Sequence, residues 1–257
     1  MTQIFVISHR PLPLKLKEPL TSLYVGLGAT KHSQIDLDDT TGDSISVMNP
    51  YFCELTGLYW VWKNWMPKLK ETELIGFCHY RRFFSPNGKI EKYEEIENLE
   101  TDKLLLKLQE SPNDVVLSEQ ISFPIRQHWF SLSKKLRKIK LPWKKLSLLE
   151  QYGLEHERSD LLLAMDLLPN QHRLNFEQYM HGGQFAPYNM FITSAEIANH
   201  YFEILFPWLL ELQQKMDMTN RSPYQARAIG FIAERFCSYY FSTYHRPVFV
   251  PVSFIKQ

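Results

Sequence analysis

Short unbroken apolar runs punctuate the N-terminal half of the chain. Residues 4–7 (IFVI), 23–27 (LYVGL), 74–78 (LIGFC) and 114–117 (DVVL) each give way to polar residues or glycine. Runs of this length predict strands buried on both faces. Between them the apolar spacing changes. After a polar, loop-like stretch from 31 to 47, Asn49 and Pro50 are suited to an N-cap and a first helical position. Tyr51, Leu55, Leu58, Tyr59, Trp62 and Trp65 then recur at helical period, predicting one helix with an apolar stripe. Residues 91–110 alternate charge with Leu and Ile and read as a solvated surface helix. Residues 161–168 predict a helix stopped at Pro169, and HGGQFAPYNMFIT (181–193) a glycine-containing loop feeding a strand. A capping box of Thr193 with Glu196 opens a helix towards Met216, bent at Pro207. A second, at Ser222, Pro223 and Gln225, opens a last helix to about Tyr240. Strands alternating with helices predict a layered α/β fold with a mainly parallel sheet and additional C-terminal helices.

Composition narrows the class. Of the 257 residues, 44% are hydrophobic, enough for a real core, and no Gly/Ser/Pro-rich linker divides the chain. Residues 1–257 are expected to form a single domain. A net charge of +1 offers no global field for nucleic acid. The first ten residues read as a strand and not a signal peptide, and no apolar run approaches the roughly 18 residues of a spanning helix. Cys53, Cys78 and Cys237 sit in apolar segments without CxxC spacing, as buried reduced thiols of a cytoplasmic protein would.

In an open α/β sheet, ligands bind beyond the carboxyl ends of the strands. The ends to read are therefore Ser8-His9-Arg10, Gly26-Leu27-Gly28, His79-Tyr80-Arg81-Arg82 and Ser118-Glu119. Two arginines and a histidine directly after a buried strand are costly unless they meet an anion, and the guanidinium fork matches a diphosphate. Ion pairing of Arg81 and Arg82 with the acidic 91–100 stretch accounts for the pattern equally well, because functional and structural ion networks look alike in sequence.

The run GDSISVMNPYFCELTGLYWVWKN (42–64) followed by LIGFCHYRRFF (74–84) resembles a bacterial family of capsule and O-antigen synthesis proteins, once a domain of unknown function. PYNMFIT (187–193) and RAIGFIAERF (227–236) resemble its later landmarks, in the expected order. Its characterised members are galactofuranosyltransferases. The resemblance implies a GT-A-like nucleotide-binding sandwich and an inverting transfer from UDP-galactofuranose to a glycan on a polyprenyl carrier. Most GT-A enzymes hold a metal on the donor with an Asp-x-Asp motif at a central strand end. Here the matching end carries His79-Tyr80-Arg81, so positive side chains are expected to replace the metal and no cofactor is implied. Asp36-Leu37-Asp38-Asp39 does match Asp-x-Asp, but no apolar strand leads into it and it reads as a solvated loop.

Candidate donor-binding residues are thus His9, Gly26, His79, Tyr80, Arg81, Arg82, Asn189 and Arg227. Asn189 enters an apolar strand, where a buried amide needs partners, either sugar hydroxyls or backbone. In the last helix Arg227, Phe231 and Glu234 share a face roughly opposite Ala226, Ile229, Ala233 and Phe236. An inverting transfer needs a carboxylate base. Glu234 is the first candidate, with Glu54, Asp43 and Glu119 behind it; a loop turn is the commoner role of an Asp such as Asp43, and Glu54, flanking its helix's apolar stripe, could face the cleft or solvent.

Residues 129–146 hold seven cations (Lys134, Lys135, Arg137, Lys138, Lys140, Lys144, Lys145) and no acidic residue, interleaved with Trp and Leu. Such a segment suits an anionic membrane surface, which would place the enzyme at the inner face of the plasma membrane. A solvated basic loop is the bland alternative and nucleic acid a third, disfavoured because the rest of the chain shows no nucleic-acid motif. Two rival functions remain open: a pyranosyltransferase of the same fold, and a non-catalytic glycan-binding subunit of a polysaccharide synthase.

Overall fold

The computed structural model describes residues 2–26, 37–99, 101–123 and 145–255. Leu27, Gly28, Asp36 and most of the basic 129–146 stretch lie outside them. In chain order the first half contains β1 (Thr2–Ser8), β2 (Leu20–Tyr24), β3 (Leu37–Asp38), α1 (Asn49–Phe52), α2 (Leu55–Trp60), β4 (Leu74–His79), β5 (Arg82–Phe84), α3 (Thr101–Glu110), β6 (Asp114–Ser118) and β7 (Ile121–Ser122). The second half contains α4 (Leu148–Glu155), α5 (Arg158–Leu167), α6 (Asn170–Met180), β8 (Gln184–Phe185), β9 (Phe191–Ser194), α7 (Ala195–Lys215), α8 (Ala228–Tyr244), β10 (Arg246–Val250) and β11 (Val252–Phe254).

The central sheet runs β10-β6-β9-β4-β1-β2-β3. β1 pairs parallel with both β2 and β4, β2 with β3, and β6 with β10. Along this path β9 alone runs against its neighbours, wedged between β4 and β6, while off it β5 pairs antiparallel with β4 and β11. Six strands of this path therefore point the same way, in the mainly parallel α/β architecture that the apolar runs predict. Alternation within a strand assigns the two cores. Phe5, Ile7, Ile75, Phe77 and Phe191 pack into the larger one, against α1, α2 and the C-terminal helices. Ile4, Val6, Cys78, Val116 and Ile192 face the smaller one, which α3 and β5 complete. Gly57 lets α2 approach the sheet, since a Cβ there would stand 2.9 Å from Val25 Cγ1 and 3.0 Å from Ile7 Cδ1.

Several local expectations are corrected. The predicted 51–65 helix is broken at Cys53, whose φ of 53° stops α1. Asn49 is the first helical residue and not the N-cap; its Nδ2 donates to Cys53 O and Thr56 Oγ1 and bridges the break. The helix resumes as α2, then continues through a π turn (Val61–Trp65) and a 3-10 turn (Met66–Lys68). The 91–110 stretch is not a solvated helix. It splits into a 3-10 turn (Tyr93–Asn98) and α3, and buries Tyr93, Ile96, Leu104, Leu105 and Leu108. The cap of α7 is Ser194, because the Thr193 hydroxyl is already donated to Asp114 O across the sheet. Pro207 sits inside α7, and the Ser222–Gln225 box forms as expected, ahead of a 3-10 turn that leads into α8.

The Asp-x-Asp look-alike is also not a solvated loop. Leu37 and Asp38 form β3, the edge of the sheet, and Asp39 is fully buried. Its Oδ1 accepts from the Gly26 N–H at 3.1 Å and the Ser46 hydroxyl at 2.6 Å. Gly26 needs no side chain here: its φ is +77° and a Cβ would meet Asn49 Oδ1 at 2.8 Å. Burial raises the Asp39 pKa above the ordinary carboxylate value, against the pull of these hydrogen bonds. Asp39→Ala strands two buried donors, so urea melts are expected to show a loss of about 1–3 kcal/mol. Asp38→Ala, which removes two exposed turn bonds from the Thr40 N–H and hydroxyl, should cost less than half as much; equal losses contradict the structural role of Asp39.

Candidate active site

The carboxyl ends of the parallel strands share one edge, and there β4 reverses at once into β5. Its last residue, His79, pairs with Arg82 across a two-residue tip, Tyr80-Arg81. This hairpin brings Arg82 Nη1 to 3.1 Å from His79 Nδ1. A guanidinium only donates, so Nδ1 is the acceptor and the imidazole proton resides on Nε2, which stands 3.9 Å from Glu54 Oε1. Burial pushes the His79 pKa down to about 4, against the opposing pull of Glu54. The histidine is therefore neutral near pH 7, which corrects its expected role as a cation: charge at this strand end comes from the arginines.

The guanidinium of Arg82 lies 4.4 Å from the Tyr188 ring centre, and that of Arg81 lies over Tyr80 and Phe254. Neither forms an ion pair with a carboxylate among the described residues. Glu97 is taken by Lys17 at 2.6 Å, and Glu95 accepts backbone N–H groups of Glu91 and Lys92. Pairing with the acidic stretch is thus set aside, and the Nε atoms of both arginines are buried without a partner. Unsatisfied buried donors of this kind call for a reason.

Arg82 opens onto a cavity of about 290 Å³. Cys53 and Glu54 form one side, Pro187 and Tyr188 another, and the β7–β8 pair a third. The fourth is one face of α8, carrying Phe231, Glu234 and Arg235, with Arg227 at its N-cap. Asn189 lies behind the wall, donating from Nδ2 to Glu54 Oε1 at 2.8 Å and to Gly230 O at 3.3 Å. Its partners are a carboxylate and backbone. Cys53, Tyr188 and Asn189 all hold positive φ (53°, 89° and 51°). Non-glycine residues pay for that conformation, and such strain concentrates at functional walls. The Cys53 thiol receives Arg227 Nε at 3.1 Å, and burial pushes its pKa up to about 12.

Glu234 forms no hydrogen bond with the described residues. Burial, with the nearby charge of Glu54, raises its pKa to about 7, against Arg235, Arg82 and Arg227. A free carboxyl that titrates near neutrality and faces a cavity is suited to accepting a proton. Glu54 is committed to Asn189 and stands second.

The remaining candidates fall elsewhere. Tyr80 is buried beneath Arg10 and Arg81, with His9 edge-on to its ring at 4.9 Å, so these residues form the rim of the strand end and do not line the cavity. Gly26 is held by Asp39 on the far side of β1. Asp43 is exposed and accepts from Tyr59 and, through its carbonyl, from Asn64. Glu119 is exposed and pairs by its N–H with Val250 O. Tyr188, Gln151 and Arg235 were not singled out from sequence. Tyr188 adjoins Asn189 and Arg235 adjoins Glu234, so neighbourhood to a candidate was the available signal.

The cationic, carboxylate-bearing cleft lies at the carboxyl edge of an open α/β sheet, where such sheets bind their ligands. A family model described as "Domain of unknown function (DUF4422)" matches residues 3–245, and the chain belongs to that family. Among solved structures, the apo structure of the WbbM bifunctional glycosyltransferase matches 100% of this chain with a TM-score of 0.78 at 22% identity. That likeness shows a shared fold, and the match covers 45% of the WbbM chain. No curated protein matches the chain.

The Glu234 carboxyl holds its proton more tightly folded than unfolded. Its contribution to stability is therefore full below about pH 4.5 and lost as pH rises through about 7. Glu234→Gln is expected to melt with the native protein at pH 4.5 and above it at pH 8. Parallel melting profiles across that range contradict the raised pKa.

Proposed function

We propose that the chain is a glycosyltransferase that takes a sugar from a UDP-linked donor, UDP-galactofuranose, and passes it with inversion to a lipid-linked surface polysaccharide. The observation that carries this is the gathering of Arg82 and Arg227 around one cleft with a free carboxyl, Glu234, whose pKa lies near 7. The shared fold with WbbM, a protein named as a bifunctional glycosyltransferase, supports it.

The chemistry follows from the charges. An acceptor hydroxyl attacks the anomeric carbon, and its oxygen forms the new bond while its proton passes to Glu234. The bond from that carbon to the β-phosphate oxygen breaks, and its electron pair leaves with UDP. The guanidiniums of Arg82 and Arg227 offset the charge that develops on the diphosphate. Neutral His79 holds Arg82 in place through Nδ1. Charge neutralisation by arginine is what a divalent cation otherwise supplies, so turnover is expected to persist in EDTA.

Mass spectrometry of products from UDP-galactofuranose and candidate oligosaccharide acceptors tests the reaction. A mass gain of one hexose supports it, and its absence with every UDP-hexose refutes it; a gain only with UDP-pyranoses leaves the transfer and removes the furanose. Arg82→Ala is expected to weaken UDP binding at least tenfold by calorimetry, roughly the 1.4 kcal/mol or more of a charged hydrogen bond. Arg81→Ala should act less, since its guanidinium rests on Tyr80 and Phe254. Unchanged affinity in Arg82→Ala removes the diphosphate assignment.

The membrane belongs to the same reading. No helix among the described residues is long and apolar enough to cross a bilayer. The 129–146 cations are expected to dock the enzyme on anionic lipid, with flotation on phosphatidylglycerol vesicles at low salt and not at high salt. Flotation that survives replacement of Lys134, Lys135, Arg137 and Lys138 by Ser contradicts this.

A further inference from the structure

The cavity has two chemically different halves, and α8 shows their order. Arg227, Phe231, Glu234 and Arg235 stand at i, i+4, i+7 and i+8, one face of about 12 Å in length. At its N-terminal end Arg227 meets Cys53 beside Glu54, in the cationic half with His79 and Arg82. At its C-terminal end Arg235 donates to Gln151 and lies over Phe185, 4.9 Å from that ring centre. The wall there is the β7–β8 pair, with Phe123 and Phe185 stacked at 6.1 Å. Phe231 lines the same cavity, with the His156 ring at 4.4 Å, the exposed Tyr224 at 5.4 Å and the Arg227 guanidinium at 5.6 Å from its own ring. Two polar groups border this apolar half. Gln151 has its oxygen taken by Arg235, which leaves the amide nitrogen to donate, and Glu155 accepts the Tyr224 hydroxyl with one oxygen only.

We propose that this second half, formed by Phe231, Phe185 and Phe123 with Gln151 and Glu155 at its border, is a hexose subsite that seats the acceptor sugar. A diphosphate gains nothing from it. A hexose ring presents C–H groups on one face, which pack on aromatic rings, and hydroxyls around its edge, which an amide and a carboxylate receive. Glu234 is the i+3 neighbour of Phe231 on this face and feels the charges of Arg82 and Arg227, so an acceptor hydroxyl seated on Phe231 would meet there a donor held at Arg82. The proposal rests on the glycosyltransferase reading for its role, but the sugar contact is tested separately from it.

Saturation-transfer NMR on the full chain, with octyl β-D-galactopyranoside and octyl β-D-glucopyranoside as probes, makes the test. Saturation of the ring C–H protons is expected in the native protein with at least one probe. It should fall at least fivefold in both Phe231→Leu and Glu155→Ala, while UDP affinity by calorimetry stays within twofold in Glu155→Ala. Glu155 is exposed, so its variant keeps the fold even if Phe231→Leu does not. Ring saturation that ignores Glu155→Ala, that is absent while UDP binds, or that is confined to the octyl chain overturns the subsite. Variant-sensitive ring saturation without UDP binding keeps the sugar subsite and removes the glycosyltransferase reading instead.

Discussion

The side-chain amide of Asn189 holds the cleft together. Its Nδ2 reaches Glu54, 135 residues away in sequence, and the Gly230 carbonyl, 41 residues away. One group thereby ties the α1–α2 junction, the turn before β9 and the start of α8. It can do so because β9 runs antiparallel between β4 and β6, which brings its N-terminal turn to the same edge as the carboxyl ends of the parallel strands. The strain of three positive-φ residues gathers around this junction, where the surrounding packing outweighs it.

Burial then sets the charge states. It pushes His79 down to about 4 and Glu234 up to about 7, so both favour the neutral form more than they would in water. Arg82 is held by a neutral imidazole and aromatic faces, with no carboxylate ion pair among the described residues. That arrangement is a poor one for stability alone, since a buried guanidinium without a carboxylate costs free energy. It is a sensible one if an anion completes it.

The legible parts of the sequence were those governed by local period. The buried strands, the parallel α/β class and the face of α8 carrying Arg227, Phe231 and Glu234 follow from spacing. What spacing could not show was where tertiary partners override it. Cys53 breaks an apolar stripe that looks continuous, because the backbone there turns to line the cleft. Asp39 stands in a run of acidic residues that reads as solvated, yet it is drawn inside, where it accepts from Gly26 and Ser46. Arg81 and Arg82 are equivalent in sequence, and only the pairing of His79 with Arg82 across the hairpin turns the second one into the cavity. Arg235, in an apolar helix beside Glu234, and Tyr188 depend on contacts from 84 and 106 positions away, with Gln151 and Arg82 respectively.

The central claim is that Arg82 and Arg227 receive a nucleoside diphosphate beside Glu234. A crystal structure of the chain with UDP tests it most directly. The account predicts diphosphate oxygens at about 3 Å from both guanidiniums, with the open side of the β-phosphate turned towards the Glu234 carboxylate. UDP seated elsewhere, for instance in the groove lined by Trp62 and His200, with no phosphate at Arg82 or Arg227, would contradict it.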